Sequence, residues 1–370
     1  MLVRKYGGSR VLVHYGGQSA IRSGLLDKIC GLLADDGLFV EQLGGVVPNP
    51  RLSKVNEGIA LCRRQGIDFI LAVGGGSVID SAKAIAYGTV YEGDVWDFYV
   101  GKAQAVSCLP VALVLTIPAA GSEMSEASVI TNEDGGVKLG YSNDISRPKF
   151  AIMNPERTFT LPPYQTAAGV TDMMMHTMER YFSKDDDMET TDAIAEAVLR
   201  TCMTEGRKVL DNPTDYTSRA NIMWAGSLAH NDLTGCGTTG DWATHCIEHE
   251  LSGLFDVSHG AGLAAMWGSW ARYCREENIP RFARFAHNVM GIDTTGMSDL
   301  DAAEAGIQAM EKFYVSIGMP TNIHTLIGKE ITDAEIEEMA DKCTNGDTIT
   351  IGGLKILKKA DIIKIYQMAK

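Results

Sequence analysis

Through the first 160 positions the apolar residues fall in short runs that stop at glycine or proline, with helical periodicity between them. Arg10-Val11-Leu12-Val13-His14-Tyr15 reads as a buried strand followed by a Gly16-Gly17-Gln18-Ser19 turn. Residues 21–33 then place Leu25, Leu26, Ile29, Leu32 and Leu33 on one helical face. Residues 39–47 predict a second strand closed by Pro48-Asn49-Pro50, and 55–64 a helix. Phe69-Ile70-Leu71-Ala72-Val73 runs into Gly74-Gly75-Gly76-Ser77-Val78-Ile79-Asp80 and a helix over 81–87. Residues 110–116 form another apolar strand, and 137–141 and 150–153 predict short strands flanking a polar turn. Strands alternating with helices imply a mainly parallel, doubly wound sheet. Trp96, Phe98 and Tyr99 fit core packing better than the lining of a pocket.

Beyond Leu161-Pro162-Pro163 the pattern changes. Long 3.6-period stretches cover 164–182, 187–210, 215–231, 238–253, 260–276, 280–290 and 300–318, and strand patterns almost vanish. The boundary falls near 155–163, which divides the chain into an α/β N-terminal domain at 1–158 and an all-α C-terminal domain at 159–370. A length of 370 residues suits two hydrophobic cores better than one.

Net charge is −14, which argues against nucleic acid or an anionic membrane as a partner. No apolar run has the length of a bilayer span, and the first residues lack a signal peptide's apolar core. The eight cysteines are scattered without a C-x-x-C pair, which suits reduced thiols and a cytoplasmic protein.

The glycine turn at Gly74-Gly75-Gly76-Ser77 sets bare backbone N–H groups at the positive end of a helix, where a phosphate or pyrophosphate binds. It departs from G-x-G-x-x-G, and a tight β-to-α turn that merely needs glycine explains it equally well. After the first strand, Gly16-Gly17-Gln18-Ser19 offers no carboxylate until Asp27. A small, uncharged turn leaves room for a 2′-phosphate, so NADP(H) is expected over NAD(H).

Two His-bearing stretches carry the remaining chemistry. Asp172 and His176 are four apart, as are His245 and His249, so each pair shares a helical face. His259 follows beyond a break containing Gly253, Asp256 and Ser258. One carboxylate with several imidazoles suits Fe²⁺, Zn²⁺ or another divalent first-row metal. An Asp–His pair at that spacing is more often an intrahelical contact, and paired histidines can simply be hydrogen-bonded core residues. His245-Cys246-Ile247-Glu248-His249 also matches H-x-x-E-H, in which two histidines hold zinc and the glutamate is the base of a metallohydrolase. The glycine-rich α/β half would then be idle, as would Asp172 and His176. A non-enzymatic nucleotide-binding module is the other alternative.

Taken together, these motifs resemble the metal-dependent (iron-containing) alcohol dehydrogenases, in the branch that includes NADPH-dependent butanol dehydrogenases. The resemblance is carried by Tyr15-Gly16-Gly17, Pro48-Asn49-Pro50, residues 72–80, 116–123, 161–163 and 169–181, Asp241-Trp242-Ala243-Thr244-His245, and 249–262. It implies a metal, most often Fe²⁺, held by an Asp-x₃-His pair and by two histidines thirteen residues apart. Asp172, His176, His245 and His259 reproduce this arrangement. His249 falls at a non-ligand histidine that passes a proton, which makes the H-x-x-E-H match incidental. Gly16, Gly17, Ser19, Asn49, Gly74, Gly75, Gly76, Ser77, Asp80, Thr116 and Lys138 match the dinucleotide-binding positions. The implied reaction is hydride transfer between NADP(H), lying in a cleft between the domains, and a primary alcohol/aldehyde pair such as butanol/butyraldehyde. A homodimer is implied too, although relatives usually begin with an extra β-segment that aids dimerisation, and here eight residues precede Ser9. Ala120 stands where many relatives carry threonine, and Asn154-Pro155 where Asp-Pro is frequent.

Overall fold

The structure is a computed structural model that describes residues 2–185 and 187–370. The chain divides into two compact units, Met1–Thr158 and Phe159–Lys370.

In the first unit the order is α1 (Leu2–Lys5), β1 (Arg10–Tyr15), α2 (Ser19–Arg22), α3 (Leu25–Asp35), β2 (Phe39–Leu43), α4 (Leu52–Gln65) and β3 (Phe69–Gly74). It continues with α5 (Gly76–Val90), α6 (Trp96–Tyr99), β4 (Val111–Leu115), β5 (Ala127–Asn132), β6 (Val137–Ser142) and β7 (Ala151–Met153). Five strands form a parallel sheet in the order β2-β1-β3-β4-β7. β3 and β4 are unbroken apolar runs and β1 is buried from Val11 to His14, because helices cover both faces of these central strands. Alternation along the strands sends Val11, Val13, Leu71, Val73 and Val114 into the core that holds Leu25, Leu26 and Leu33 of α3. On the other face α4 and α5 approach closely at glycine: a Cβ on Gly58 would lie 2.3 Å from Ile85, and one on Gly88 2.1 Å from Ile59. Phe98 and Tyr99 are buried, and Phe98 stacks on Tyr141.

Several local expectations differ from the structure. The helix expected over 21–33 is split, because Gly24 adopts φ 68° between α2 and α3. The second strand ends at Leu43, ahead of Gly44 and the left-handed Gly45. β6 and β7 do not flank one turn of a single sheet: β6 pairs antiparallel with β5, while β7 joins β4.

The second unit is helical: α7 (Pro163–Tyr181), α8 (Glu189–Asp211), α9 (Tyr216–Ala229), α10 (Ala243–Phe255), α11 (His259–Cys274) and α12 (Ile279–Asn288). α13 (Asp299–Ser316), α14 (Ile323–Ile327), α15 (Asp333–Cys343) and α16 (Lys359–Met368) complete it. Sixteen of the nineteen residues of α7 are buried, including Asp172, His176, Glu179 and Arg180. A helix enclosed on all sides must find partners for every such group. α10 starts at Ala243, not near 238, because Gly240 (φ 67°) and Trp242 (φ 65°) are left-handed. Among the described residues, no helix is long and apolar enough to cross a membrane.

Candidate metal centre and dinucleotide site

Three helices of the second unit bring the expected ligands together. α7 presents Asp172 and His176, α10 presents His245 and His249, and the first residue of α11 is His259. Donor atoms of Asp172, His245 and His259 all lie within 4.8 Å of one another. His259 Nε2 is 3.7 Å and His245 Nε2 3.9 Å from Asp172 Oδ1. Ligands about 2.1 Å from one tetrahedral ion stand roughly 3.4 Å apart, so these separations are near those of a shared cation. The His176 ring lies 4.6 Å from that of His245, with Nδ1 2.9 Å from the Asp172 carbonyl and 3.1 Å from Oδ1.

The approach of α11 depends on glycine. A Cβ on Gly260 would lie 2.0 Å from the Ala168 carbonyl oxygen of α7, and one on Gly262 2.6 Å from a Glu248 carboxylate oxygen. Only a bare backbone at 260 lets His259 reach Asp172.

Carboxylates behind the histidines fix their tautomers. Glu179 Oε1 accepts from both the backbone N–H and Nδ1 of His245, each at 2.9 Å. Glu248, fully buried, accepts from His259 Nδ1 with one oxygen and from Ser252 Oγ with the other. With Nδ1 donating, each ring turns the lone pair of Nε2 toward Asp172. His245 Nε2 is buried and has no hydrogen-bond partner, and the buried Asp172 Oδ1 faces it with only His176 Nδ1 nearby at 3.1 Å. The convergent oxygen and two imidazole nitrogens of Asp172, His245 and His259 could hold a cation, and such a donor set fits a borderline divalent metal.

The electrostatics agree. Burial raises the Asp172 carboxyl, but the facing histidines, His176 and His259 first, hold it well below the usual carboxylate range. Burial, then His176 and His259, keep His245 well below the ordinary histidine value, in the neutral form that ligates. Burial pushes Glu179 up to about 7 against the N–H groups of His245 and Trp242.

Sequence reasoning overlooked Glu179 and a set of groups around the start of α10. Asp241 accepts from the N–H of Ala243 with one oxygen, and from those of Gly353 and Leu354 with the other. Burial and Glu179 push it up to about 7. Arg180 donates to the carbonyls of His176 and Ala229 and to His230 Nδ1, and stacks on Trp242 at 4.6 Å. The His230 ring meets that of His176 edge-on at 4.0 Å. For Glu179 and Arg180 the available signal was charge on an otherwise apolar helix.

Against the H-x-x-E-H reading, Glu248 is fully buried and its two oxygens accept from His259 and Ser252. His249 is half-buried, its ring 6.4 Å from His245 and 5.6 Å from His259.

In the first unit the chain order reverses between β1 and β3, the topological switch point of the sheet. Gly16, Gly17 and Ser19 follow the carboxyl end of β1, and Gly74 to Ser77 lie at that of β3. α5 begins at Gly76 with no side-chain cap on its N–H groups, which suits a phosphate. Thr116 follows β4, its N–H bonded to the Gly74 carbonyl. Asn49 is buried with φ 52°; next to it, the Pro50 carbonyl accepts from Thr131, which pairs with Lys138 across β5 and β6. The Asp80 carboxylate accepts from Ser122 Oγ and the Val129 N–H, so it braces the segment after β4.

Similarity to known proteins agrees with this chemistry. The family model described as iron-containing alcohol dehydrogenase matches residues 1–155, and that for the C-terminal part of the Fe-containing alcohol dehydrogenase family matches 166–370. The chain is 40% identical over 367 residues to NADH-dependent butanol dehydrogenase A of Clostridium acetobutylicum, covering 99% of this chain and 93% of the relative. It is 36% identical over 318 residues to the NADPH-dependent aldehyde reductase YqhD of Escherichia coli, covering 85% and 81%. The crystal structure of an NADH-dependent butanol dehydrogenase A from Thermotoga maritima superposes with a TM-score of 0.94 at 36% identity, over 99% of this chain and 92% of that one. The chain belongs to the iron-containing alcohol dehydrogenase family.

Proposed function

We propose that this protein interconverts a primary alcohol and its aldehyde, such as butanol and butyraldehyde, by hydride transfer with NADP(H). The observation that carries the reading is the convergence of donor atoms of Asp172, His245 and His259 within 4.8 Å of one another, with His245 Nε2 buried and without a hydrogen-bond partner. Asp172, His176, His245 and His259 would hold one divalent ion, Fe²⁺ first among the candidates. When bound, that ion supplies Lewis-acid polarisation of the substrate oxygen, and the nicotinamide gives or accepts the hydride.

The protein's own groups do the rest. Asp172 brings negative charge into a buried site, and Glu179 and Glu248 keep His245 and His259 presenting Nε2. His249, one turn beyond His245, moves the proton between the substrate oxygen and water. The uncapped start of α5, with Gly74 to Ser77, receives the pyrophosphate, and Gly16, Gly17, Ser19, Asn49, Asp80, Thr116 and Lys138 complete the dinucleotide site. The names of the relatives divide between NADH and NADPH. The uncharged turn after β1 supports NADP(H), since it leaves a 2′-phosphate unopposed. We also propose a cytoplasmic homodimer.

The test is oxidation of NADPH and of NADH, followed at the reduced-nicotinamide absorbance band, across straight-chain aldehydes with metal removed and restored. NADPH-preferring, metal-dependent turnover is expected. A metal-replete protein inert toward every aldehyde would defeat the proposal.

A further inference from the structure

We propose that Lys83 is a positioning residue for the dinucleotide site, locking the segment after β4 against the start of α5; the proposal rests on the dinucleotide reading above. Lys83 is fully buried on α5, one turn beyond Asp80. Its ammonium lies 2.9 Å from the Ser122 carbonyl and Ser122 Oγ and 2.8 Å from the Ser125 and Ala127 carbonyls, its three N–H groups shared among these four acceptors. Asp80 works alongside it: Oδ1 accepts from Ser122 Oγ at 2.6 Å and Oδ2 from the Val129 N–H at 3.0 Å. Ser122 Oγ gives its proton to Asp80, so toward Lys83 it is an acceptor, and the lysine stands at the centre of four oxygens.

What is held in this way borders the glycine turn. A Cβ on Gly75 would lie 2.9 Å from Ile117, and one on Gly76 3.0 Å from Ala120. Residues 117–120 therefore form the wall beside the N–H groups expected to receive phosphate. Residues 116–126 form no strand or helix, so their shape depends on such ties. Arg147 adds one from outside, bonding the Met124 carbonyl and Glu126. Removing the ammonium strands several buried carbonyls at once and loosens that wall, so the cofactor must pay to order it.

The experiment compares NADPH and NADH titrations and steady-state kinetics of the metal-loaded wild type, Lys83→Met and Ser122→Ala. Lys83→Met is expected to raise the cofactor Kd and KM about tenfold or more, Ser122→Ala by a smaller factor. In both, kcat at saturating cofactor and metal content stay near wild type. A folded Lys83→Met protein with wild-type Kd, or one whose kcat falls while Kd holds, overturns the proposal. Should Lys83→Met fail to fold, Ser122→Ala decides, and a wild-type Kd there overturns it. A wild type that binds neither dinucleotide refutes the cofactor reading itself, a different result from any of these.

Discussion

Replacing Gly260 by alanine adds one methyl group, with a calculable effect on the metal centre. The new Cβ would sit 2.0 Å from the Ala168 carbonyl oxygen, where an ordinary C···O contact is about 3.3 Å. α11 must then move away from α7 by about 1.3 Å at this point, because both partners are backbone. His259 is the adjacent residue, and its Nε2 begins 3.7 Å from Asp172 Oδ1. The same movement carries it to roughly 5 Å, beyond the ~4.3 Å that two donors on opposite sides of one ion can span. Losing that ligand should weaken metal binding at least ~100-fold, or about 2.7 kcal/mol. Overpacking itself should cost about 1–3 kcal/mol of stability. Calorimetric metal titration of the stripped proteins measures the first quantity and thermal unfolding the second. Gly31→Ala, on α3 with open space around the new methyl, is the control. Wild-type metal affinity in a folded Gly260→Ala protein would refute the reasoning.

Other expectations follow from the same geometry. Glu248→Gln and Glu179→Gln should each lower metal affinity about 10–100-fold, seen in competition with a chelator, because the ligand histidines lose their anionic partners. His249→Ala should lose at least ~100-fold in kcat while metal content stays at wild type, whereas His259→Ala should lose both. Burial lowers His14 from 6.5 to about 4, its two nitrogens engaged by the Leu43 carbonyl and Ser81 Oγ. Between those values the unfolded chain takes up a proton that the folded chain refuses, so stability falls on acidification. The loss across pH 6.5 to 4 is about 3 kcal/mol, and urea melts of His14→Gln should lack it.

The proposed ligand pairs were legible as pairs because helical spacing is local. Four-residue separation places Asp172 with His176 whatever surrounds them, and the glycine turn names its own strand-to-helix geometry. The partner of His259 was not legible. Glu248 lies eleven residues away and reaches it only because the chain doubles back between α10 and α11. In sequence, the same glutamate reads as the base of a hydrolase. β5 was not legible because Ala127–Asn132 follows a polar loop and forms a two-stranded sheet with β6, apart from the five-stranded one. The late start of α10 escaped notice since a left-handed tryptophan is not something a periodic pattern reveals.

The link from Asp241 to Gly353 and Leu354 has an outcome for anyone who edits the far end of this chain. Gly353 fits so tightly that a methyl group there would lie 2.0 Å from the Gly240 carbonyl, directly before the turn that launches His245. Residues more than a hundred positions downstream thus hold the mould in which one proposed ligand is cast. A tag or deletion that disturbs 352–357 should be felt first as a leaky grip on the ion, well before the helices themselves give way.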